Sequence, residues 1–403
     1  MKYTLMHQSI KVAEVKLNSS HAIDEIIEIY DEARLPIGTK TPDGKLNIRM
    51  LNAWWQNRRI PLSRSGLKDH LEKEPFLTPD VLQMKSWGLS LSDHYWMNPV
   101  NNPLNWKDIN FFDNPFSEDV GNMLLGKKHS GNLDLVSPDN TSDGWLKKKW
   151  KIINDERCLV KAGSAAFYQE PYNEVIASLI MTRLGINHIP YYVTQEDDFP
   201  YSVCANFVIK ETELVSAWYV MQGTKKPNHV SVYEHYITCC EIHGITFARE
   251  EINKMIIVDY LVMNEDRHQN NFGLIRDART LKFIGIAPIF DTGSSLCFDQ
   301  PTHIMGSTKK LTCKPFKNNH EDQLKLVKSF DWLDLEQLDG LENDIRNLLS
   351  NSFYIDEARK ERIIEILQMR IEKLKKYVEH YHPNDDKINL KNEVEKNIAY
   401  SGK

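Results

Sequence analysis

Asp266, Asn271 and Asp291 are oxygen-bearing side chains spaced five and then twenty residues apart. The first two lie in the polar run 264–273 (NEDRHQNNFG), which follows an apolar segment at 255–263. The third closes the apolar run 281–290 and opens Asp-Thr-Gly. The residues between Asn271 and Asp291 read as a hairpin: strands over 272–275 and 281–286, joined by a polar turn at 277–280. In an antiparallel hairpin the start of one strand lies beside the end of the other. Asn271 and Asp291 therefore meet at one end, with Asp266 next to them. Three such donors at one point suit a magnesium ion and a phosphoryl group.

Phosphoryl transfer needs a positioned triphosphate, neutralised charge and an oriented hydroxyl. Asp266 is the candidate base or orienter of that hydroxyl, and Asn271 and Asp291 are candidate metal ligands. Lys161 ends the apolar strand Cys158-Leu159-Val160 and can reach the phosphates. Glu174 sits one turn into the next helix and can pair with Lys161. That helix is predicted from Pro171, a residue suited to the first turn, to Leu184, with Gly185 as its stop. Its Val175, Ile176, Leu179, Ile180 and Leu184 fall at helical spacing. Further strands are expected at 191–194 and 203–209.

Residues 264–273 resemble the catalytic loop of the HipA-like serine/threonine kinases. Ala287-Pro288-Ile289-Phe290-Asp291-Thr292-Gly293 is similar to that family's magnesium-binding motif, and Leu159-Val160-Lys161-Ala162-Gly163-Ser164 to its ATP-lysine strand. Lys314-Pro315-Phe316 resembles a segment found beyond the metal motif, and the likeness covers about residues 130–380. The resemblance implies an α+β, bilobal kinase-like fold with a small β-rich ATP lobe and a larger helical lobe, using ATP and Mg²⁺. It implies Asp266 as catalytic, Asn271 and Asp291 as metal ligands, Lys161 on the phosphates and Glu174 as its partner. Many relatives carry a Ser-x-Ser-Gly phosphate loop with a downstream lysine, and autophosphorylation of its serine switches the enzyme off. Thr141-Ser142-Asp143-Gly144 stands here instead, with Lys148 four residues beyond. Gly144 and Lys148 thus join the ATP set, and Thr141 and Ser142 are the candidates for autophosphorylation. The order Asp-Arg-His-x-x-Asn also occurs in phosphoinositide-type lipid kinases. There His268 would share the base role; the plainer role is to brace the loop by a hydrogen bond.

These residues divide the chain into an N-terminal family-specific region (1–120), an ATP-binding N-lobe (121–222), a helical catalytic lobe (223–382) and a polar tail (383–403). The N-terminal region is expected to open with a strand in 1–15 and a helix over 23–33. Trp54, Trp55, Arg58, Arg59 and Arg64 form an aromatic–basic cluster. It is read either as a helix packed through its tryptophans with arginines on the outer face, or as a nucleic-acid or partner surface. Trp87, Trp96 and Trp106 complete a core, and 98–115 is an irregular ordered loop. Residues 121–143, rich in Gly, Ser, Asp and Asn, read as a mobile connection. The last third is helical over 323–327, 333–349 and 356–380.

The 403 residues are 41% hydrophobic and 26% charged, ordinary for a globular protein. A net charge of −6 gives no global field for nucleic acid or an anionic membrane, although Lys147, Lys148, Lys149 and Lys151 form a local basic patch. The N-terminus lacks a secretory h-region, and no apolar run approaches the ~20 residues that span a bilayer. Six cysteines without a CxxC pair read as reduced, buried thiols of a cytoplasmic protein. The expected partners are a protein substrate with a Ser/Thr hydroxyl and a separate antitoxin chain, since no helix-turn-helix is evident; direct nucleic-acid and membrane binding are not expected. The competing readings are a lipid or small-molecule kinase on the same fold, and a non-catalytic binding module using the Trp54–Arg64 cluster.

Overall fold

The structure, a computed structural model, describes residues 1–41, 43–64, 77–127, 132–164, 167–307 and 312–381. The polar tail expected at 383–403 lies outside them. Among the described residues three antiparallel sheets stand in sequence order. The first has the order β3-β2-β1-β4, from β1 (Lys2–His7), β2 (Ile10–Leu17), β3 (Ile23–Ile29) and β4 (Tyr95–Pro99). The second has the order β5-β6-β8-β7, from β5 (Lys148–Ile153), β6 (Glu156–Ala162), β7 (Tyr192–Glu196) and β8 (Phe199–Ala205). The third, β11-β10-β9, joins β9 (Thr212–Ser216) to the hairpin β10 (Gly273–Asp277) and β11 (Phe283–Ile286).

The helices are α1 (Ile48–Gln56), α2 (Pro79–Lys85), α3 (Trp106–Ile109), α4 (Asp119–Leu124), α5 (Glu170–Arg183), α6 (Ala217–Gln222), α7 (Val232–Ile242), α8 (Ala248–Val262), α9 (His320–Leu324), α10 (Leu341–Leu349) and α11 (Glu357–Glu379). The largest core wraps α8, which is buried along nearly its whole length between α5, α7 and α11. Burial on all sides lets α8 present Asp259 at its last turn to the polar run that follows. Among the described residues no helix is long and apolar enough to cross a membrane.

Several elements depart from the sequence reading. Residues 23–33 are not a helix: they form β3 followed by a 3-10 turn at Glu32–Arg34. Isoleucines at 23, 26, 27 and 29 fit helical spacing, yet pairing with β2 decides the outcome, and β-branched residues suit that role. Only Ile23 of this edge strand is buried, and its acidic side chains guard the open edge. Residues 121–143 are ordered where described. The turn at Pro138–Thr141 buries Asp139 and Asn140 completely, because Asp139 accepts from Trp150 N at 2.9 Å. The expected basic patch is divided by strand alternation, which turns Lys149 inward to Glu118 at 2.9 Å and leaves Lys148 on the other face. The strand expected at 203–209 starts earlier, at Phe199, to pair with β7 through a tight turn.

The tryptophan clusters are core. Trp54 and Trp55 pack under the first sheet with Leu5 and Val15. Trp96 and Trp106 pack with Trp150 of β5, so the N-terminal sheet and the second sheet share a core. The arginines beside Trp54 fold inward rather than covering an outer face: Arg58 pairs with Asp93, and Arg64 is 1% exposed. A buried ionic chain also links the first and third sheets. His7 Nε2 lies 2.6 Å from Glu213 Oε1, and Arg276 donates to Glu213 Oε2 at 2.9 Å through Nε. All six cysteines are buried free thiols.

Candidate active site

The polar run begins where α8 ends. Met263 takes a left-handed φ of 52° and turns the chain out of the helix. Asn264, fully buried, donates to Asp259 Oδ1 at 2.9 Å and accepts from Asp266 N at 3.0 Å. The last turn of α8 thereby fixes the backbone of Asp266. His268 N donates to the Asp266 carbonyl at 2.8 Å, and His268 Nδ1 accepts from Asn270 N at 3.3 Å. That imidazole contact braces the turn.

Arg267 is the residue around which the loop closes. Its guanidinium meets both Asp259 oxygens at 3.0 Å and is wholly buried with them. Its Nη1 also donates to the carbonyl of Asn271 at 2.9 Å and to that of Phe290. One cation thus ties together the backbones next to the two candidate metal ligands. The hairpin supplies the second tie, pairing Leu274 with Ile286 and bonding Ala287 N to Gly273 O at 2.9 Å. Glycine is required at 273, because a Cβ there would sit 2.2 Å from the Val215 carbonyl of β9.

Opposite the loop, Lys161 leaves β6 and its ammonium donates to Glu174 Oε1 at 2.8 Å and to Asp291 Oδ1 at 2.7 Å. Glu174 in turn accepts from Thr292 N and Oγ1, both at 2.8 Å. Burial alone would discharge Lys161, but Asp291 and Glu174 hold its pKa well above the ordinary value. Burial likewise opposes the charge on Asp291, yet Lys161 and Lys148 pull its carboxyl well below the usual range. Asp291 adopts a left-handed φ of 60°, a conformation that Asp tolerates better than most residues.

The loop 141–144 closes the same cleft from above. Gly144 has φ +95°, and a Cβ there would approach Lys148 Nζ to 2.7 Å. Lys148 has no ion-pair or hydrogen-bond partner among the described residues, and burial together with Arg64 lowers its pKa to about 8. Arg64 holds the loop: Nε donates to Gly144 O at 2.9 Å, Nη1 to Ser142 Oγ at 2.9 Å and Nη2 to Asp143 O at 2.9 Å. Thr141 Oγ1 donates to Leu89 O at 2.7 Å and Ser142 Oγ to Asp139 O at 2.9 Å. Both candidate phosphoacceptor hydroxyls are therefore engaged with main-chain carbonyls in this conformation.

The cleft has a volume of about 1180 Å³, and Gly144, Lys148, Lys161, His268, Asn271 and Asp291 all line it. Glu174 lies behind Lys161, and Asp266 sits at the rim with Lys314 Nζ 2.8 Å from its Oδ1. Asp291 Oδ2 and Asn271 Oδ1 accept no hydrogen bond among the described residues. Among the described residues no group of three His, Cys, Asp or Glu side chains converges there. A metal would draw on one carboxylate, one amide and the oxygens of a bound phosphate. Magnesium is commonly held by one or two carboxylates plus substrate phosphates, so this donor set fits it.

A family model for the HipA-like C-terminal domain matches residues 141–373, more than half of the chain. The chain belongs to the HipA-like family. Its match begins at the loop held by Arg64 and ends within α11. The HipA-like fold is also seen in a solved structure from Shewanella oneidensis MR-1, the toxin–antitoxin system HipA with HipB and its operator DNA. That structure is similar over 92% of this chain and 97% of its own, with a TM-score of 0.56 and 11% identity. The Helicobacter pylori proinflammatory kinase CtkA is 22% identical over 55% of this chain and 89% of its own, with a TM-score of 0.45. No curated protein matches in sequence. The α+β, kinase-like fold expected from the motifs is the fold observed.

Arg64, Arg267, Asp259 and the contact of Lys314 with Asp266 were not legible as site features. Arg267 stands inside the polar run 264–273, where the residue type alone does not distinguish a buried structural cation from a solvated one. An acid at 259 within the apolar run 255–263 is the sequence signal that a buried cation sits nearby.

Proposed function

We propose that this HipA-like chain is an ATP- and Mg²⁺-dependent serine/threonine protein kinase. The observation that supports this most is the Lys161 ammonium bridging Glu174 and Asp291 in the cleft that also holds Asn271, with Asp266 at its rim. Each of these side chains has a task in phosphoryl transfer. Lys161, fixed by Glu174, binds phosphate oxygens, and Lys148 and the backbone at Gly144 close over them. Asp291 and Asn271 would hold Mg²⁺, which when bound neutralises phosphate charge. Asp266 accepts a hydrogen bond from the acceptor hydroxyl and takes its proton as the oxygen attacks. His268 braces the turn that presents Asp266.

Labelled ATP with Mg²⁺ tests this reading. The wild type is expected to label itself or a lysate protein at Ser or Thr, and Asp266→Asn and Asp291→Asn to abolish the label. Labelling that persists unchanged in both variants sinks the assignment, and transfer to phosphoinositide vesicles but to no protein replaces it with a lipid kinase. We further propose that the chain is the toxin of a toxin–antitoxin pair, as the Shewanella protein's complex with HipB suggests. A small helix-turn-helix protein encoded beside this one, and its binding to this chain, is the expected finding.

A further inference from the structure

Among the described residues three lysines line the cleft: Lys148, Lys161 and Lys314. The first two face the loop 141–144 and Asp291. Lys314 stands apart, on the side of Asp266, with Nζ 2.8 Å from Asp266 Oδ1. The polar run itself offers no free cation there. Arg267 is wholly buried and consumed by Asp259, Asn271 O and Phe290 O. His268 is engaged through Nδ1 with the turn.

The segment bearing Lys314 is fixed with unusual care for an exposed lysine. Gln323, 1% exposed on α9, donates to Lys314 O at 2.9 Å and accepts from Phe316 N at 3.1 Å and Lys317 N at 3.3 Å. Cys313 Sγ donates to Lys317 O at 3.4 Å from a buried position. Phe316 packs edge-on against Tyr233 and against Phe272, the residue that follows Asn271. The backbone on both sides of Lys314 is therefore locked to the element that carries the polar run. The side chains of Lys314 and Asp266 are 54% and 29% exposed, and an ion pair so open to water adds little to stability. Stability does not account for the anchoring.

Resting on the phosphoryl-transfer reading, we propose that Lys314 is a further catalytic residue, supplying the cation on the acceptor side of the transferring phosphoryl group. In the step, the acceptor oxygen bonds to the γ-phosphorus as the bond to the β–γ bridging oxygen breaks. The hydroxyl proton passes to Asp266, and ADP leaves. The Lys314 ammonium orients Asp266 Oδ1 and donates to an equatorial oxygen of the group in flight. Its strongest contact is with the transition state, because only there does the phosphorus approach Asp266.

Calorimetric binding of Mg²⁺–ADP and of Mg²⁺–ADP with aluminium fluoride, a planar mimic of the transferring phosphoryl, tests this without an acceptor substrate. The comparison uses the wild type, Lys314→Met and Lys314→Arg, all checked for an unchanged melting temperature. Lys314→Met is expected to bind ADP like the wild type but to lose affinity for the planar complex on the order of 10²-fold, the cost of one oriented donor. Lys314→Arg should recover most of that loss. Equal affinities of Lys314→Met and wild type for both ligands, or equal losses for both, overturn the role of Lys314 alone. A wild type that binds neither ligand overturns the phosphoryl-transfer reading and this inference with it.

Discussion

Arg64 Nε lies 2.9 Å from the carbonyl oxygen of Gly144, a residue eighty positions further along the chain. Together with its bonds to Ser142 and Asp143, this makes one buried guanidinium the fastening of the loop over the cleft. Arg64→Ala leaves several carbonyls without a donor and frees the loop. ATP affinity is expected to fall on the order of tenfold, equivalent to about 1.4 kcal/mol. Arg64→Lys should recover little, since an ammonium cannot reproduce the fork. Nucleotide titration of the three proteins checks this, and unchanged affinity in Arg64→Ala removes the fastening role.

The parts of the site legible in the sequence are those set by local chain geometry. The hairpin after Asn271, the helix opened by Pro171 and the strand ending at Lys161 each follow from neighbours within a few residues. Pairings across the chain left no comparable trace. Nothing near Arg64 tells that its partner is Gly144, and the aromatic–basic cluster reads equally well as a solvated helix. In β3 the isoleucine spacing fits both periods, and pairing with β2 decides between them. A long-range partner overrides a local pattern wherever the pattern is ambiguous.

Asp259 and Asp266 are expected to separate stability from chemistry. Asp259 is completely buried against Arg267, so Asp259→Ala leaves an uncompensated cation and should destabilise the fold by about 3–5 kcal/mol. Asp266 is partly exposed and, among the described residues, its carboxylate pairs only with the exposed Lys314, so Asp266→Asn should change stability by less than about 1 kcal/mol. Urea unfolding of both variants gives the two values. A stable Asp259→Ala would mean that Arg267 does not hold the loop.

Glu213 joins the first and third sheets through His7 and Arg276. Burial opposes its charge, but His7 and then Arg276 pull its carboxyl well below the ordinary value. A depressed folded pKa makes this stabilisation complete above the unfolded value of about 4.3 and erodes it as the pH falls below that. Acid should therefore lower the urea midpoint of the wild type from about pH 4 downward more steeply than that of Glu213→Gln. At neutral pH Glu213→Gln should itself be less stable by about 3 kcal/mol. Parallel acid profiles would show that the chain is not the acid-sensitive joint.

Lys148 is expected to give the proposed nucleotide site its pH dependence. Burial and the nearby Arg64 hold its pKa down to about 8 in the free protein. A lysine lowered in this way is charged below about pH 8 and loses its proton as the pH rises through that value, whereas phosphate prefers the charged form. The dissociation constant for ATP is therefore expected to be flat below pH 8 and to climb above it, approaching tenfold per pH unit while the bound lysine stays protonated. Lys148→Arg, whose guanidinium keeps its proton across this range, should bind with no such break. Lys148→Met should bind weakly at every pH, again without the break. Equilibrium ATP binding measured across the range for all three proteins decides the matter: a break that survives in Lys148→Met belongs to another group.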